Sequence, residues 1–86
     1  MTNGQIVTID AEDLRQTLAD TMDVDVQELL DDADFIEDVG MDSLMALEVL
    51  AVLEKKYGVR FVEQEMRELR TFTDAHRMLT IKLTES

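Results

Sequence analysis

The chain has 86 residues, enough for a single domain that buries about three-fifths of the surface exposed by its unfolded form. Twenty acidic and eight basic residues give a formal net charge of −12, which argues against nucleic acid or an anionic membrane as a partner. One histidine and no cysteine exclude disulfides and leave no ligand set for zinc.

The N-terminal segment has neither a basic start nor a long apolar run, so it does not resemble a secretory signal. We expect residues 1–9 to be a flexible extension of a single domain that spans residues 1–86. No stretch is long enough to cross a bilayer, and a cytoplasmic protein is therefore expected.

The first predicted helix begins after Asp10, which is a suitable N-cap, and ends near Met22. Its apolar residues recur at helical spacing and form one stripe, made of Ala11, Leu14, Leu18 and Met22. Proline is absent and glycine occurs three times, so the chain has few helix breakers and an all-α fold is expected.

A long acidic loop over residues 23–41 follows, with one helical turn predicted near residues 27–30. Residues 10–42 hold thirteen acidic residues and one basic residue, so they carry the entire net charge of −12. The apolar residues of the loop are predicted to anchor it against the core; they are Val24, Val26, Leu29, Leu30, Phe35, Ile36 and Val39. A calcium loop starting at Asp23 fails, because Glu28 and Asp34 stand where glycine and glutamate are required.

The second predicted helix covers residues 42–57 and ends at Gly58, a typical terminator. Its core face is predicted to consist of Ala46, Val49, Leu50, Leu53 and Tyr57. Further apolar residues lie on other faces, namely Leu44, Leu47 and Ala51 on one, and Met45 and Val52 on another. A small domain can scarcely cover all of them, so we expect a partner surface with Glu48 and Glu54 as its polar rim. In the alternative interpretation, the acidic loop folds over this face and buries it, and the two interpretations can hold together if loop and partner each cover part of the surface.

A short third helix is predicted over residues 63–69, and Thr71 with Asp74 forms a capping box that opens a fourth helix. The buried stripe of the fourth helix would consist of Phe72, Ala75, Leu79 and Leu83. The expected architecture is a small four-helix bundle with three longer helices, one short helix, and a long loop between helices 1 and 2. A serine hydrolase is excluded, because the only histidine, His76, lies far from Ser43 in sequence and no nucleophile-elbow motif is present.

Ser43 stands at the start of the second helix, where the commonest role of a serine is to cap the helix. The free N–H groups and the dipole at that helix end would also favour an attached phosphate.

The run from Gly40 to Leu44, followed by Glu48, resembles the phosphopantetheine attachment site of carrier proteins. The similarity extends over about residues 10–83, so the whole domain resembles an acyl carrier protein. This resemblance implies that Ser43 holds a 4'-phosphopantetheine arm, which a magnesium-dependent transferase takes from coenzyme A. Asp42 and Leu44 would then be recognition residues beside the arm.

The resemblance also implies that the protein is not an enzyme, and that it carries acyl groups as thioesters between enzymes. The arm would supply the thiol, because the chain has no cysteine. Its partners would be phosphopantetheinyl transferase and acyl-processing enzymes with basic docking surfaces. The expected partner-binding residues are Asp42, Leu44, Leu47, Glu48, Ala51 and Glu54. We expect a freestanding monomer without a metal.

Met45 stands where fatty-acid carriers often have an acidic residue, which leaves specialised lipid and polyketide pathways open beside fatty acid synthesis. The alternatives are a peptidyl carrier protein, an unmodified acidic helical adaptor and a calcium-binding module.

Overall fold

A computed structural model of the protein describes residues 9–85, and this part of the chain contains four α-helices and no β-strand. The helices are α1 (Ala11–Met22), α2 (Ser43–Tyr57), α3 (Glu63–Glu68) and α4 (Phe72–Glu85). A single 3-10 turn, Val26–Glu28, interrupts the loop between α1 and α2. The predicted all-α bundle of three longer helices and one short helix is therefore confirmed.

The expected flexible extension, residues 1–9, lies outside the described residues except for Ile9. That residue is buried in the core. Its carbonyl oxygen lies 2.9 Å from Nε2 of His76 on α4, so the imidazole N–H donates a hydrogen bond to it. The beginning of the described chain is thus held against the last helix.

Side chains that cap the helix starts explain why the helices begin where they do. The Asp10 carboxylate accepts hydrogen bonds from the N–H groups of Glu12 and Asp13 at the start of α1. At the start of α4, the Asp74 N–H donates to Thr71 Oγ1 while the Asp74 carboxylate accepts from the Thr71 N–H. The predicted capping box is therefore present, with aspartate in the position usually held by glutamate.

Gly58 ends α2 in the left-handed region, with φ of 68°, and its N–H donates to the carbonyl oxygen of Glu54 at 2.8 Å. Gly40 has φ of 87° and lies just before the start of α2. Residues with a Cβ rarely adopt these φ values, so glycine is favoured at both positions.

The core is a single cluster to which every helix except α3 contributes buried side chains. Its members on α1, α2 and α4 are Leu14, Leu18, Ala19, Met22, Val49, Leu50, Leu53, Phe72, Ala75 and Leu79. These include most of the predicted core stripes. Ala46, Tyr57 and Leu83 are half-buried and pack against the cluster.

The loop between α1 and α2 anchors itself with fewer side chains than the sequence predicts. Leu29 and Phe35 are fully buried, whereas Leu30 and Ile36 are 62% and 50% exposed, so their prediction as anchors is wrong. Each exposed residue directly follows a buried one, and non-helical backbone sends adjacent side chains in different directions. The remaining predicted anchors, Val24, Val26 and Val39, are half-buried against the core.

Hydrogen bonds fix this loop to the connection between α3 and α4 and to the first turn of α4. The Phe35 N–H donates to the Arg70 carbonyl oxygen at 2.7 Å, and the Arg70 guanidinium pairs with Asp34 at 2.7 Å. Farther along, both the N–H and the hydroxyl of Thr73 donate to the Asp31 carbonyl oxygen. The loop is therefore held against the α3–α4 connection and the start of α4.

Candidate functional site

Ser43 is the first residue of α2 and is exposed. The helix cap is Asp42, whose carboxylate accepts the Met45 N–H at 2.9 Å, so the interpretation of Ser43 as the cap is wrong. No described residue forms a hydrogen bond with the Ser43 hydroxyl. That hydroxyl is therefore accessible and takes no part in holding the helix together.

Beyond Ser43, one face of α2 carries apolar side chains that are exposed to solvent. Leu44 is 70% exposed and Leu47 is 56% exposed, and Ala51 one turn farther on is exposed as well. The prediction of exposed apolar side chains on this helix is confirmed, and the alternative in which the acidic loop covers them is wrong. We call Leu44, Leu47 and Ala51 the outward face of α2.

The two other apolar residues outside the predicted core face behave differently from each other. Met45 is half-buried and packs against the core cluster. Val52 is 36% exposed and therefore belongs to the solvent-facing part of α2.

A cavity of about 520 Å³ opens beside Ser43, and α2, α3 and the acidic loop contribute its walls. Its apolar lining consists of Ile36, Met41, Ala46, Leu47, Met66 and Leu69. The polar lining comprises Asp42 and Ser43 at the start of α2, together with Arg67 on α3 and Arg70 just after α3. An apolar space thus adjoins the accessible hydroxyl.

A second cavity, of about 270 Å³, lies farther along α2 and shares Leu47 and Met66 with the first. Ala51, Glu54 and Phe61 are among its other lining residues. Leu47 therefore stands between two concave apolar surfaces, which makes it the central residue of the outward face.

The two glutamates predicted as the rim of this face have different structural roles. Glu48 is exposed. Glu54 is half-buried, and its Oε2 accepts the Phe61 N–H at 2.8 Å across the turn that follows α2. Glu54 therefore helps to fix that turn, and Glu48 is the more accessible of the two charges.

Ile36 belongs to the site although the sequence assigns it to the core. Its side chain is half exposed and lines the same cavity as Ser43 and Leu47. The available signal is its position directly after Phe35, because a fully buried loop residue leaves its neighbour free to face solvent.

The turn that carries Ile36 is organised by Asp34. Its Oδ1 accepts the N–H groups of Glu37 and Ile36 at 3.0 and 2.8 Å, and its Oδ2 accepts a hydrogen bond from Arg70. The backbone hydrogen bond from Glu37, together with those from Ile36 and Arg70, lowers the pKa of Asp34 below its ordinary value, against an opposing effect of burial. Asp34 therefore stays ionised and holds Ile36 beside the cavity.

No group of three histidine, aspartate or glutamate side chains in residues 9–85 is arranged to hold a metal ion. Among the helices of the same residues, none combines the length and apolar character that a bilayer span requires.

A helical bundle with an accessible serine at a helix start and an apolar cavity beside it is consistent with a carrier domain. Residues 12–75 match the family described as "Phosphopantetheine attachment site", and the chain belongs to this family. Members of this family are carriers and not catalysts, and their covalent cofactor is 4'-phosphopantetheine. They interact with phosphopantetheinyl transferase and with acyl-processing enzymes.

Individual relatives agree with the family assignment. The chain is 47% identical over 78 residues to "Polyketide-8 synthase acyl carrier protein 2" of Streptomyces avermitilis, and the aligned region covers 91% of this chain and 90% of the relative. It is 33% identical over 63 residues to an acyl carrier protein of Thermosynechococcus vestitus, covering 73% and 78% respectively. With an acyl carrier protein of Solidesulfovibrio magneticus the identity is 31% over 65 residues, covering 76% and 83%.

Proposed function

We propose that Ser43 bears the 4'-phosphopantetheine arm and that the protein carries acyl intermediates of polyketide synthesis on it. The observation that carries the attachment is the Ser43 hydroxyl, which is exposed, free of hydrogen bonds to described residues, and located at the start of α2. Asp42 caps the helix in its place, so esterification of Ser43 leaves the helix start intact.

The local electrostatics suit a phosphodiester on Ser43. The start of α2 carries the positive end of the helix dipole, which stabilises a nearby negative charge. In the attachment reaction, a bond forms between Ser43 Oγ and phosphorus while a bond within the pyrophosphate of coenzyme A breaks. The adenosine 3',5'-bisphosphate half of coenzyme A leaves with the electrons of the broken bond, and the hydroxyl proton passes to a base in the complex with the transferase.

The pathway is inferred from the relatives and from the absence of an acidic residue at Met45. The relative with 47% identity is, by its printed name, a polyketide synthase carrier, and it is matched over nearly its whole length. The relatives at 31–33% identity are named only as acyl carrier proteins. This difference in similarity supports polyketide synthesis over housekeeping fatty acid synthesis.

Partner enzymes are proposed to dock on the outward face of α2. Leu44, Leu47 and Ala51 would supply apolar contact, and Asp42 and Glu48 would attract basic residues of the partner. Glu54 contributes less to docking in this proposal, because it is half-buried and its carboxylate is held by the Phe61 N–H, whereas Asp42 stays exposed while it caps α2. The carrier is expected to act as a cytoplasmic monomer, since transient docking with several enzymes requires a free surface.

The attachment site is tested by loading the protein with coenzyme A, magnesium and a broad-specificity phosphopantetheinyl transferase. Intact-mass spectrometry should show one added arm, and peptide fragmentation should place it on Ser43. Ser43→Ala should abolish loading and lower the free energy of unfolding by less than the roughly 1 kcal/mol of a lost cap, because Asp42 remains. The matched control is Ser86→Ala, which removes the only other serine and should load normally. Loading of Ser43→Ala would refute the assignment.

A further inference from the structure

The cavity beside Ser43 has an unusual lining for an apolar space in an acidic protein. Two of the eight basic residues of the chain, Arg67 and Arg70, line it together with six apolar side chains. The methylene stem of an arginine can line an apolar cavity, and its exposed guanidinium then brings hydrogen-bond donors to the mouth of that cavity. The two arginines therefore bring hydrogen-bond donors to the cavity beside Ser43.

The two guanidinium groups are held to different degrees. Arg70 pairs with Asp34 at 2.7 Å, and its backbone holds Phe35, so it is part of the attachment of the acidic loop. Arg67 pairs with Glu63 at 3.1 Å, and both side chains are more than 70% exposed. Exposed pairs one helical turn apart contribute little to stability, so Arg67 can exchange this partner readily.

Arg67 has more hydrogen-bond donors than its pair with Glu63 uses. A guanidinium has five N–H donors, and Arg67 uses one nitrogen, Nη2, to bind Glu63. Its other nitrogens can donate to oxygen atoms that enter the cavity. Such charge-assisted hydrogen bonds are stronger than those between neutral groups.

We propose that Arg67 is a specificity-determining residue that binds oxygen atoms of an acyl group lodged in the cavity. The cavity then prefers an acyl group with a ketone or carboxylate oxygen over a hydrocarbon group of the same length. The proposal rests on the proposed attachment of the arm to Ser43, because Ser43 lines the same cavity. Tethering at that position keeps the acyl group at a high local concentration beside Arg67.

The experiment uses hydrolysis-resistant, amide-linked arms loaded on the full chain. The matched pair is hexanoyl and 5-oxohexanoyl, which have the same length and differ by one ketone, and adipoyl adds a terminal carboxylate. Intact mass first establishes loading on Ser43, so a failure at that stage concerns the proposed function and not this inference. NMR signals of the Leu47 and Met66 amides and of the Arg67 Nε–H then report entry of the acyl group into the cavity.

The ratio of molecules with the acyl group inside the cavity to those with it outside should be about tenfold higher for 5-oxohexanoyl than for hexanoyl, as expected for one hydrogen bond to a charged donor. A preference shown by adipoyl alone would support Arg67 and restrict the ligand to carboxylates. Equal occupancy for all three arms, or no entry of any, would overturn the proposal.

Two variants separate Arg67 from a general effect of charge. Arg67→Gln should abolish the difference between the arms while the hexanoyl signal stays the same. Arg77→Gln removes the same charge from an exposed arginine that pairs with Asp74 and lines a different cavity, so the difference should remain. Loss of the preference in both variants, or in neither, would show that Arg67 does not determine it.

Discussion

The inward and outward faces of α2 contain the same kinds of residue in opposite surroundings. On the inward face, Val49 and Leu53 are fully buried against the core. On the outward face, Leu44 and Leu47 are more than half exposed. The contrast shows that apolar character alone does not decide burial: the inward face is covered by the rest of the bundle, and the outward face borders open cavities.

The acidic loop could have removed this contrast by covering the outward face, but it does not. It places Leu29 and Phe35 in the core and leaves Ile36 at the edge of the Ser43 cavity. The loop therefore extends the exposed apolar surface. In our account, the inward face maintains the fold and the outward face performs the function.

The largest expected effect is on stability when the two faces are truncated in the same way. Leu53→Ala should lower the free energy of unfolding by about 2–5 kcal/mol, because it opens a cavity in a fully packed site. Leu47→Ala should lower it by about 0.5 kcal/mol or less, as is usual for an exposed position. Urea unfolding of both variants measures the difference, and similar losses would show that the faces are not distinct.

Truncating Leu47, which should affect stability little, should have a large effect on binding to a partner. Leu47→Ala should weaken the affinity for phosphopantetheinyl transferase by about 1–2 kcal/mol, because its side chain is buried only in the complex. Val52→Ala is the control, since it truncates a partly exposed residue outside the outward face. Isothermal titration of both variants checks this, and an equal loss for Val52→Ala would remove the special role of Leu47.

The two glutamates provide a smaller and more specific test. Glu54→Ala should cost about 1 kcal/mol of unfolding free energy, because the half-buried Phe61 N–H loses its acceptor. Glu48→Lys should leave stability almost unchanged, slow association with the transferase and reduce its dependence on salt. Urea unfolding and stopped-flow association separate the two effects. If Glu48→Lys destabilised the fold as Glu54→Ala does, the difference in their roles would be contradicted.

The smallest expected effect concerns pH and the turn that carries Ile36. Because folding lowers the pKa of Asp34, its stabilisation is present above the ordinary value of 3.8 and is lost as the pH falls through the lower folded value. Asp34→Asn should therefore be less stable than the parent chain at pH 7, and this deficit should shrink as the solution is acidified. Asp32→Asn, in the same loop, is the control for charge alone. A deficit that stays constant with pH would contradict ionic stabilisation by Asp34.

The helices could be predicted from the sequence because their signals are local. Asp10, Gly58 and the Thr71–Asp74 capping box mark helix ends through contacts within a few residues. The directions of Leu30 and Ile36 could not be predicted, because irregular backbone has no repeating period that links sequence position to a face.

The site was predictable to a similar, limited extent. The apolar excess of α2 indicated its outward face, and the resemblance around Ser43 indicated the attachment point. The hydrogen bond from Phe61 to Glu54 crosses the turn between α2 and α3, so no pattern within either helix predicts it. The position of Arg67 beside the Ser43 cavity likewise depends on how α3 packs against α2.

The most direct test of the two-face account is an NMR titration of the isotopically labelled protein with phosphopantetheinyl transferase. We predict that the largest changes in amide signals occur at Ser43, Leu44, Leu47 and Glu48, with Ile36 also affected. Amides on the exposed side of α1 should change little. Largest changes on α1 or α4, with the outward face of α2 unaffected, would contradict the central claim.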